Sequence, residues 1–159
     1  MLNKPVKVLF VCLGNICRSP SAEAVFLHKI TQQGITENFI VDSAGTAGYH
    51  IGAKADQRMR HHAKKRGIAI TSRARKLDVS DFSYFDYIVA MDESNLADIL
   101  HLKNQCDDDA KVVKMTDFAQ SMNYTEVPDP YYGGEEGFEL VLDILDDACD
   151  GFLQYLSQQ

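Results

Sequence analysis

Cys12 and Arg18 stand six positions apart in the run CLGNICRS, with Gly14, Asn15 and a second cysteine, Cys17, between them. A cysteine thiolate is a nucleophile, and a guanidinium offers a planar fork to two oxygens of a tetrahedral oxyanion. Where such a run joins a strand to a helix N-terminus, successive backbone N–H groups can turn inward as an anion nest, and the helix dipole adds partial positive charge. Gly14 is expected to take a backbone conformation that other residues resist. The field of the nest is expected to lower the pKa of Cys12 well below the free value of about 8.5, giving a thiolate at neutral pH. Ser19, directly after the arginine, supplies a hydroxyl that can hydrogen-bond the sulfur and ease its departure. A sulfur nucleophile beneath a phosphate cradle predicts a cysteinyl-phosphate intermediate. The bare spacing is a weak signal; the strand before it, the helix start after it, the interior glycine and the following serine sharpen it. The plain alternative is a buried packing cysteine beside a capping arginine.

A sulfur that displaces an alkoxide or phenolate needs an acid to protonate the leaving oxygen. Asp129, in VPDPYYGG (127–134), is held between Pro128 and Pro130, which restrict its backbone on both sides. Glu126, Glu135 and Glu136 lie close in sequence and are expected to help keep Asp129 protonated by like-charge proximity. Without that chemistry the segment reads as a proline-rich turn with an exposed aspartate.

These residues need a frame. Val6–Val11 is a short apolar strand interrupted only by Lys7, followed by a helix over 20–31 with Ser19 as N-cap and Pro20 at its first position. Residues 38–43 form a second strand. A basic helix over 56–66 ends at Gly67, with Lys64, Lys65 and Arg66 at its negative end. A third strand over 86–91 leads into an acidic helix start at DESNLADIL, and a fourth strand covers 110–115. Apolar residues at 138, 141, 142, 145, 148, 149, 152 and 153 make a helical stripe. Strands alternating with helices predict an α/β fold, a parallel sheet with helices on both faces in three layers. Such sheets bind ligands at the carboxyl ends of their strands, and CLGNICRS begins where the first strand ends.

With 159 residues and no repeats or linker-like stretch, residues 1–159 are expected to form one domain. The net charge of −7 argues against nucleic acid, whose backbone calls for a basic footprint. No apolar run reaches the roughly 18 residues that cross a bilayer, so no membrane partner is expected, and no signal-peptide pattern is seen. The 4 cysteines make neither a zinc pattern nor a secreted disulfide framework, which points to a reducing, cytoplasmic compartment. The five histidines lack ligand spacing, and no metal or cofactor is expected. Residues 54–76 hold nine Lys/Arg against one acid, whereas residues 115–159 hold ten Asp/Glu and no Lys or Arg. Two solvated faces of opposite sign explain this; steering of an anionic substrate is the second reading.

Together these residues resemble the low-molecular-weight protein tyrosine phosphatases across essentially the whole chain: VLFVCLGNICRSPSAEAVF at the start, VDSAGTAGY at 41–49, FDYIVAMDESN at 85–95 and DPYYG at 129–133. The resemblance implies a four-stranded parallel sheet with the phosphate-binding loop after the first strand, and a metal-independent hydrolase of phosphotyrosine. Its substrates would be phosphotyrosine-containing proteins and small aryl phosphates, with inorganic phosphate as product. Cys12 matches the nucleophile, Arg18 the phosphate-binding arginine and Asp129 the general acid. Leu13, Gly14, Asn15, Ile16, Cys17, Arg18 and Ser19 match the loop whose amides hold phosphate. Asn15 and Ser43 match polar residues that buttress it, and Tyr49 and Tyr131 match the walls of the substrate slot, which suits a phosphotyrosine ring. Many members carry a histidine after the GIxx segment; here Ser72 takes that place in the supporting network. His50 and Ala53, beside Tyr49, are expected to tune selectivity.

Three other readings compete, of which an arsenate reductase shares the fold and the loop. An arsenate reductase of this fold would need two further cysteines in a mobile segment, and residues 72–100 contain none. A phosphocysteine carrier domain would need neither Arg18 nor a leaving-group acid, and a non-catalytic phosphopeptide-binding module would lack the cysteine or the aspartate. Cys17 is expected to act as a redox partner of Cys12, capturing its sulfenic acid as a disulfide; otherwise it is a small packing residue.

Overall fold

The computed structural model describes residues 4–131 and 133–159; Tyr132 of the DPYYG run lies outside them. Four strands, β1 (Val6–Cys12), β2 (Phe39–Gly45), β3 (Tyr87–Ala90) and β4 (Lys111–Lys114), form one parallel sheet in the order β2-β1-β3-β4. The helices are α1 (Arg18–Gln32), α2 (Gln57–Lys65), the single turn α3 (Asp81–Tyr84), α4 (Glu93–Lys103) and α5 (Glu135–Ser157), with 3-10 turns at Thr36–Asn38 and Met115–Phe118. The chain leaves β1 toward β2 and returns past it to β3. The topological switch point therefore lies at the carboxyl end of β1, where a parallel sheet opens a crevice.

β1 is buried on both faces, and its side chains alternate between two cores. Val8, Phe10 and Cys12 face one cluster, where Phe10 meets Phe26 of α1 and Phe152 of α5 with ring centroids 5.8 and 6.3 Å apart. Leu9 and Val11 face the other, with Phe82, Phe85, Ile88 and Ile99. Cys12 thus ends the strand on the α1/α5 side. Gly151 lets α5 pass against the 3-10 turn: a Cβ there would lie 1.8 Å from the Phe118 carbonyl oxygen.

Two local expectations are corrected. Ser19 does not cap α1. That helix begins at Arg18, with Cys17 at the cap position and no side-chain cap, because the Ser19 hydroxyl is spent on the Cys12 sulfur. Pro20 sits third in the helix, where its missing N–H costs no helical bond. α2 starts at Gln57, capped by Asp56, whose carboxylate accepts from the backbone N–H of Arg58 at 2.8 Å.

Candidate active site

The turn after β1 is shaped by Asn15, the non-glycine residue with positive φ among the described residues (φ 58). Asparagine tolerates this left-handed region because its short amide can bond locally. Here Nδ2 donates locally to Ser19 Oγ at 2.7 Å, while Oδ1 accepts from the distant Arg75 backbone N–H at 3.0 Å. The expectation that Gly14 supplies the unusual backbone is therefore corrected. Gly14 is needed for space, since a Cβ would lie 3.0 Å from His50 Cδ2. Gly45 at the end of β2 is a second close approach: its added Cβ would stand 2.7 Å from the Leu13 carbonyl oxygen, beside the bonds from Thr46 and Ala47 N–H to the carbonyls of Cys12 and Leu13.

The loop spends its carbonyls and keeps its donors. Carbonyls of Cys12, Leu13, Ile16 and Cys17 accept hydrogen bonds from elsewhere in the chain, but none of the backbone N–H groups of residues 13–17 donates to another described residue. Below them the sulfur of Cys12 lies 3.0 Å from Ser19 Oγ. Asn15 already donates to that hydroxyl, so its own proton is available for the sulfur or for the Ala44 carbonyl 3.3 Å away. An anionic sulfur, nearer and charged, is the stronger acceptor.

Arg18, buried in the first turn of α1, is held by Asp92, 74 residues away at the start of α4. Its Nη1 donates to Asp92 Oδ2 at 2.6 Å and to the Val127 carbonyl at 3.1 Å. Burial opposes its charge, but Cys12, Asp92 and Asp129 together outweigh it and raise the guanidinium pKa further. The same Asp92 caps α4, accepting from Asn95 N–H through Oδ1 at 2.7 Å. Asp129 is brought in by a bond from Val127 N–H to the Met91 carbonyl at the end of β3. Its Oδ2 lies 3.6 Å from Arg18 Nη2, and Oδ1 accepts from Tyr131 N–H at 3.1 Å. Glu126 accepts from the Glu93 backbone N–H, and Asp129 pairs with Arg18.

Cys12, Leu13, Gly14, Ile16, Cys17, Arg18, Tyr49, His50, Asp129 and Tyr131 line one cavity of about 80 Å³. Asn15 and Ser19 lie buried beneath it. His50 stands between the two tyrosines, its ring centroid 6.5 Å from Tyr49 and 6.1 Å from Tyr131. Arg58 fixes the Tyr131 side, donating to the Tyr131 carbonyl at 3.1 Å while pairing with Asp56 at 2.9 Å. Cys17 is buried without a disulfide, and burial, with Asp56 next, pushes its thiol pKa up.

Among the described residues, neither the Ser43 nor the Ser72 side chain hydrogen-bonds the loop. Ser43 Oγ donates to Glu23 Oε1 at 2.6 Å, and Ser72 lies near enough to act on the same carboxyl group. Burial raises the Glu23 pKa to about 7, with Asp42 adding to the rise and the two serines and Arg75 opposing it. Arg75 is the bridge to the site, through its backbone bond to Asn15 and its side-chain pairs with Asp42 and Asp81. Asp92, Arg75, Arg58 and Glu23 are the supporting residues that sequence reasoning missed; the signal for Asp92 was its place at a helix start beside the strand end.

Known proteins are similar to this chain over most of its length. The family model for low molecular weight phosphotyrosine protein phosphatases matches residues 7–159. A putative low molecular weight protein-tyrosine-phosphatase of Synechocystis is 46% identical over 97% of this chain and 98% of its own. The human low molecular weight phosphotyrosine protein phosphatase is 44% identical over 92% of this chain and 93% of its own. A crystal structure of a protein tyrosine phosphatase from Entamoeba histolytica superposes with a TM-score of 0.91 at 50% identity, covering 96% of this chain and 97% of that one.

Proposed function

The chain belongs to the low molecular weight phosphotyrosine protein phosphatase family and is a hydrolase acting on phosphotyrosine; from that premise we propose how its own residues carry the reaction. The sulfur of Cys12, as thiolate, attacks phosphorus. As the S–P bond forms and the P–O bond breaks, the Asp129 carboxyl group gives its proton to the departing phenolate oxygen. Water then attacks the cysteinyl phosphate, Asp129 takes the water's proton, and the S–P bond breaks to release inorganic phosphate. Ser19 Oγ, 3.0 Å from the sulfur, hydrogen-bonds the thiolate as it leaves.

Arg18 and the loop amides stabilise the equatorial oxygens in both steps. With Nη1 engaged by Asp92 and Val127, the arginine presents Nε and Nη2 to two phosphate oxygens, Nη2 exchanging its ion pair with Asp129 Oδ2, 3.6 Å away, for the phosphate when Asp129 carries the proton of the acid. The observation that carries the reading is the convergence on one small cavity of the Cys12 sulfur, Arg18 and Asp129, beneath five loop amides without partners among the described residues.

Tyr49 and Tyr131 favour aryl esters by ring contact, so the substrates are phosphotyrosine-containing proteins and small aryl phosphates. The arsenate reductase reading gains nothing, because Cys106 bonds to the Lys103 carbonyl next to α4 and has no cysteine partner among the described residues. Cys17, in the same loop, is the redox partner that captures oxidised Cys12. The four free cysteines suit a reducing, cytoplasmic setting; no helix among the described residues is long and apolar enough to cross a membrane. The test is phosphate bound to Cys12 during turnover, together with a loss of about 10⁴-fold or more in Cys12→Ser, whose hydroxyl is not ionised at neutral pH.

A further inference from the structure

Beyond the cavity, the loop rests on an antiparallel ribbon. Residues 50–54 and 73–75 are joined by bonds from Gly52 N–H to the Ala74 carbonyl and from Ala74 N–H to the Ala53 carbonyl, both 2.8 Å. Both arms are tied to the phosphate loop: Asp56 N–H donates to the Ile16 carbonyl at 2.8 Å, and Arg75 N–H to Asn15 Oδ1 at 3.0 Å. The ribbon leaves the cavity from His50, and its end at Lys54 is at most about 14 Å of chain away. Its near end is apolar and open, with Tyr49 75% and Ile51 65% exposed.

At the far end Lys54 and Arg73 face each other across an isolated antiparallel bridge. Directly opposed residues project from the same side of a ribbon, about 5 Å apart at Cβ, and like charges so placed are destabilising. Three other arginines of this basic segment are neutralised within the chain, Arg58 by Asp56, Arg66 by Glu139 and Asp143, and Arg75 by Asp42 and Asp81, whereas Arg60, on α2, donates to the Ala55 carbonyl. Lys54 and Arg73 are both exposed, and neither forms an ion pair among the described residues. Arg73 Nη1 donates to the Gly52 carbonyl at 3.0 Å, so its guanidinium leans back along the ribbon toward the cavity. Two cations are thus held side by side without counter-charge, within a few residues' reach of the reacting phosphate.

We infer that this ribbon selects the substrate: Lys54 and Arg73 receive acidic side chains lying two to five positions from the phosphotyrosine, while Tyr49 and Ile51 take an apolar residue between. The inference rests on the phosphatase reading above and adds a substrate class to it, phosphotyrosine in an acidic peptide. An extended peptide rises about 3.3 Å per residue, so four residues cover the distance from the cavity to Lys54. Two exposed ion pairs should contribute about threefold to tenfold in kcat/KM, screened by salt.

The experiment compares phosphotyrosine peptides carrying Asp/Glu, Gln or Lys two to five positions to either side, with p-nitrophenyl phosphate as a substrate that has no flanks. Acidic peptides should be preferred by about threefold to tenfold at low ionic strength, and the preference should fade near ~0.5 M salt. Lys54→Gln with Arg73→Gln should abolish it with turnover of p-nitrophenyl phosphate unchanged, and Lys54→Glu with Arg73→Glu should turn it toward basic peptides. Equal rates on acidic and Gln peptides in the wild type, or a preference that survives both double variants, would overturn the inference. No turnover on p-nitrophenyl phosphate or any peptide would overturn the phosphatase reading instead.

Discussion

Asp92 touches no substrate in this mechanism, yet replacing it should disable Arg18. Its two oxygens have separate tasks: Oδ2 accepts from Arg18 Nη1 at 2.6 Å, and Oδ1 caps α4 through Asn95 N–H at 2.7 Å. Asp92→Asn can keep only one of them, because the amide turns an N–H₂ either toward the guanidinium or toward the helix N-terminus. A hydrogen bond to a charged group is worth about 1.5–3 kcal/mol, and Arg18 is buried, so loss of its partner leaves a poorly compensated cation. The Val127 carbonyl, 3.1 Å from the same Nη1, remains and limits the damage. Asp92→Asn should therefore lower unfolding free energy by about 1.5–3 kcal/mol, and Asp92→Ala by about 1 kcal/mol more through the lost cap. If half of that free energy reaches the transition state through a misplaced fork, kcat/KM falls roughly 3- to 13-fold for Asp92→Asn. Urea unfolding and steady-state assays with an aryl phosphate measure both on one preparation. Wild-type kcat/KM in Asp92→Asn, with or without a stability loss, would show that Arg18 is positioned by something else.

Three further outcomes follow from particular contacts. Gly151→Ala would press a methyl group into the Phe118 carbonyl, so it should cost about 3 kcal/mol in urea unfolding while leaving phosphatase activity of the folded fraction intact. Glu23, raised from 4.5 to about 7 chiefly by burial, keeps its proton to higher pH in the folded than in the unfolded state. Its contribution is fully present below pH 4.5 and lost as pH rises through 7, so stability should fall by up to roughly 3 kcal/mol across that window, and Glu23→Gln should flatten the slope. After mild peroxide, wild-type activity should return with dithiothreitol, whereas Cys17→Ser should stay largely inactive; equal recovery, with no Cys12–Cys17 peptide by mass spectrometry, would leave Cys17 a packing residue.

Much of this was legible because the chemistry is local. The apolar run before Cys12 fixes the strand end, and everything from Cys12 to Ser19 is carried on one turn, so its residues meet whatever the rest of the chain does. Even there, short-range competition moved assignments: the Ser19 hydroxyl serves the sulfur in place of the helix cap, and Asn15 takes the left-handed turn expected of Gly14. The supports were not legible because they are long-range. Asp92 is 74 residues from Arg18 and Arg75 is 60 from Asn15, and only the packing of β3 and the 73–77 segment beside β1 and β2 brings them in. Glu126 shows the same reach: close to Asp129 in sequence, its carboxylate accepts from the Glu93 N–H at the α4 N-terminus, 33 residues away.

The central claim is a covalent bond between Cys12 and phosphorus, and rapid quenching tests it most directly. Asp129→Ala should still form the phosphoenzyme from p-nitrophenyl phosphate, whose leaving group needs little protonation, but should hydrolyse it slowly for want of a base. Acid quench within the first turnover, followed by peptide mass spectrometry, should find one phosphate on the peptide containing Cys12 and none in the Cys12→Ser, Asp129→Ala double variant. Phosphate on any other residue, or none on Cys12 during a clear burst of p-nitrophenol, would contradict the mechanism.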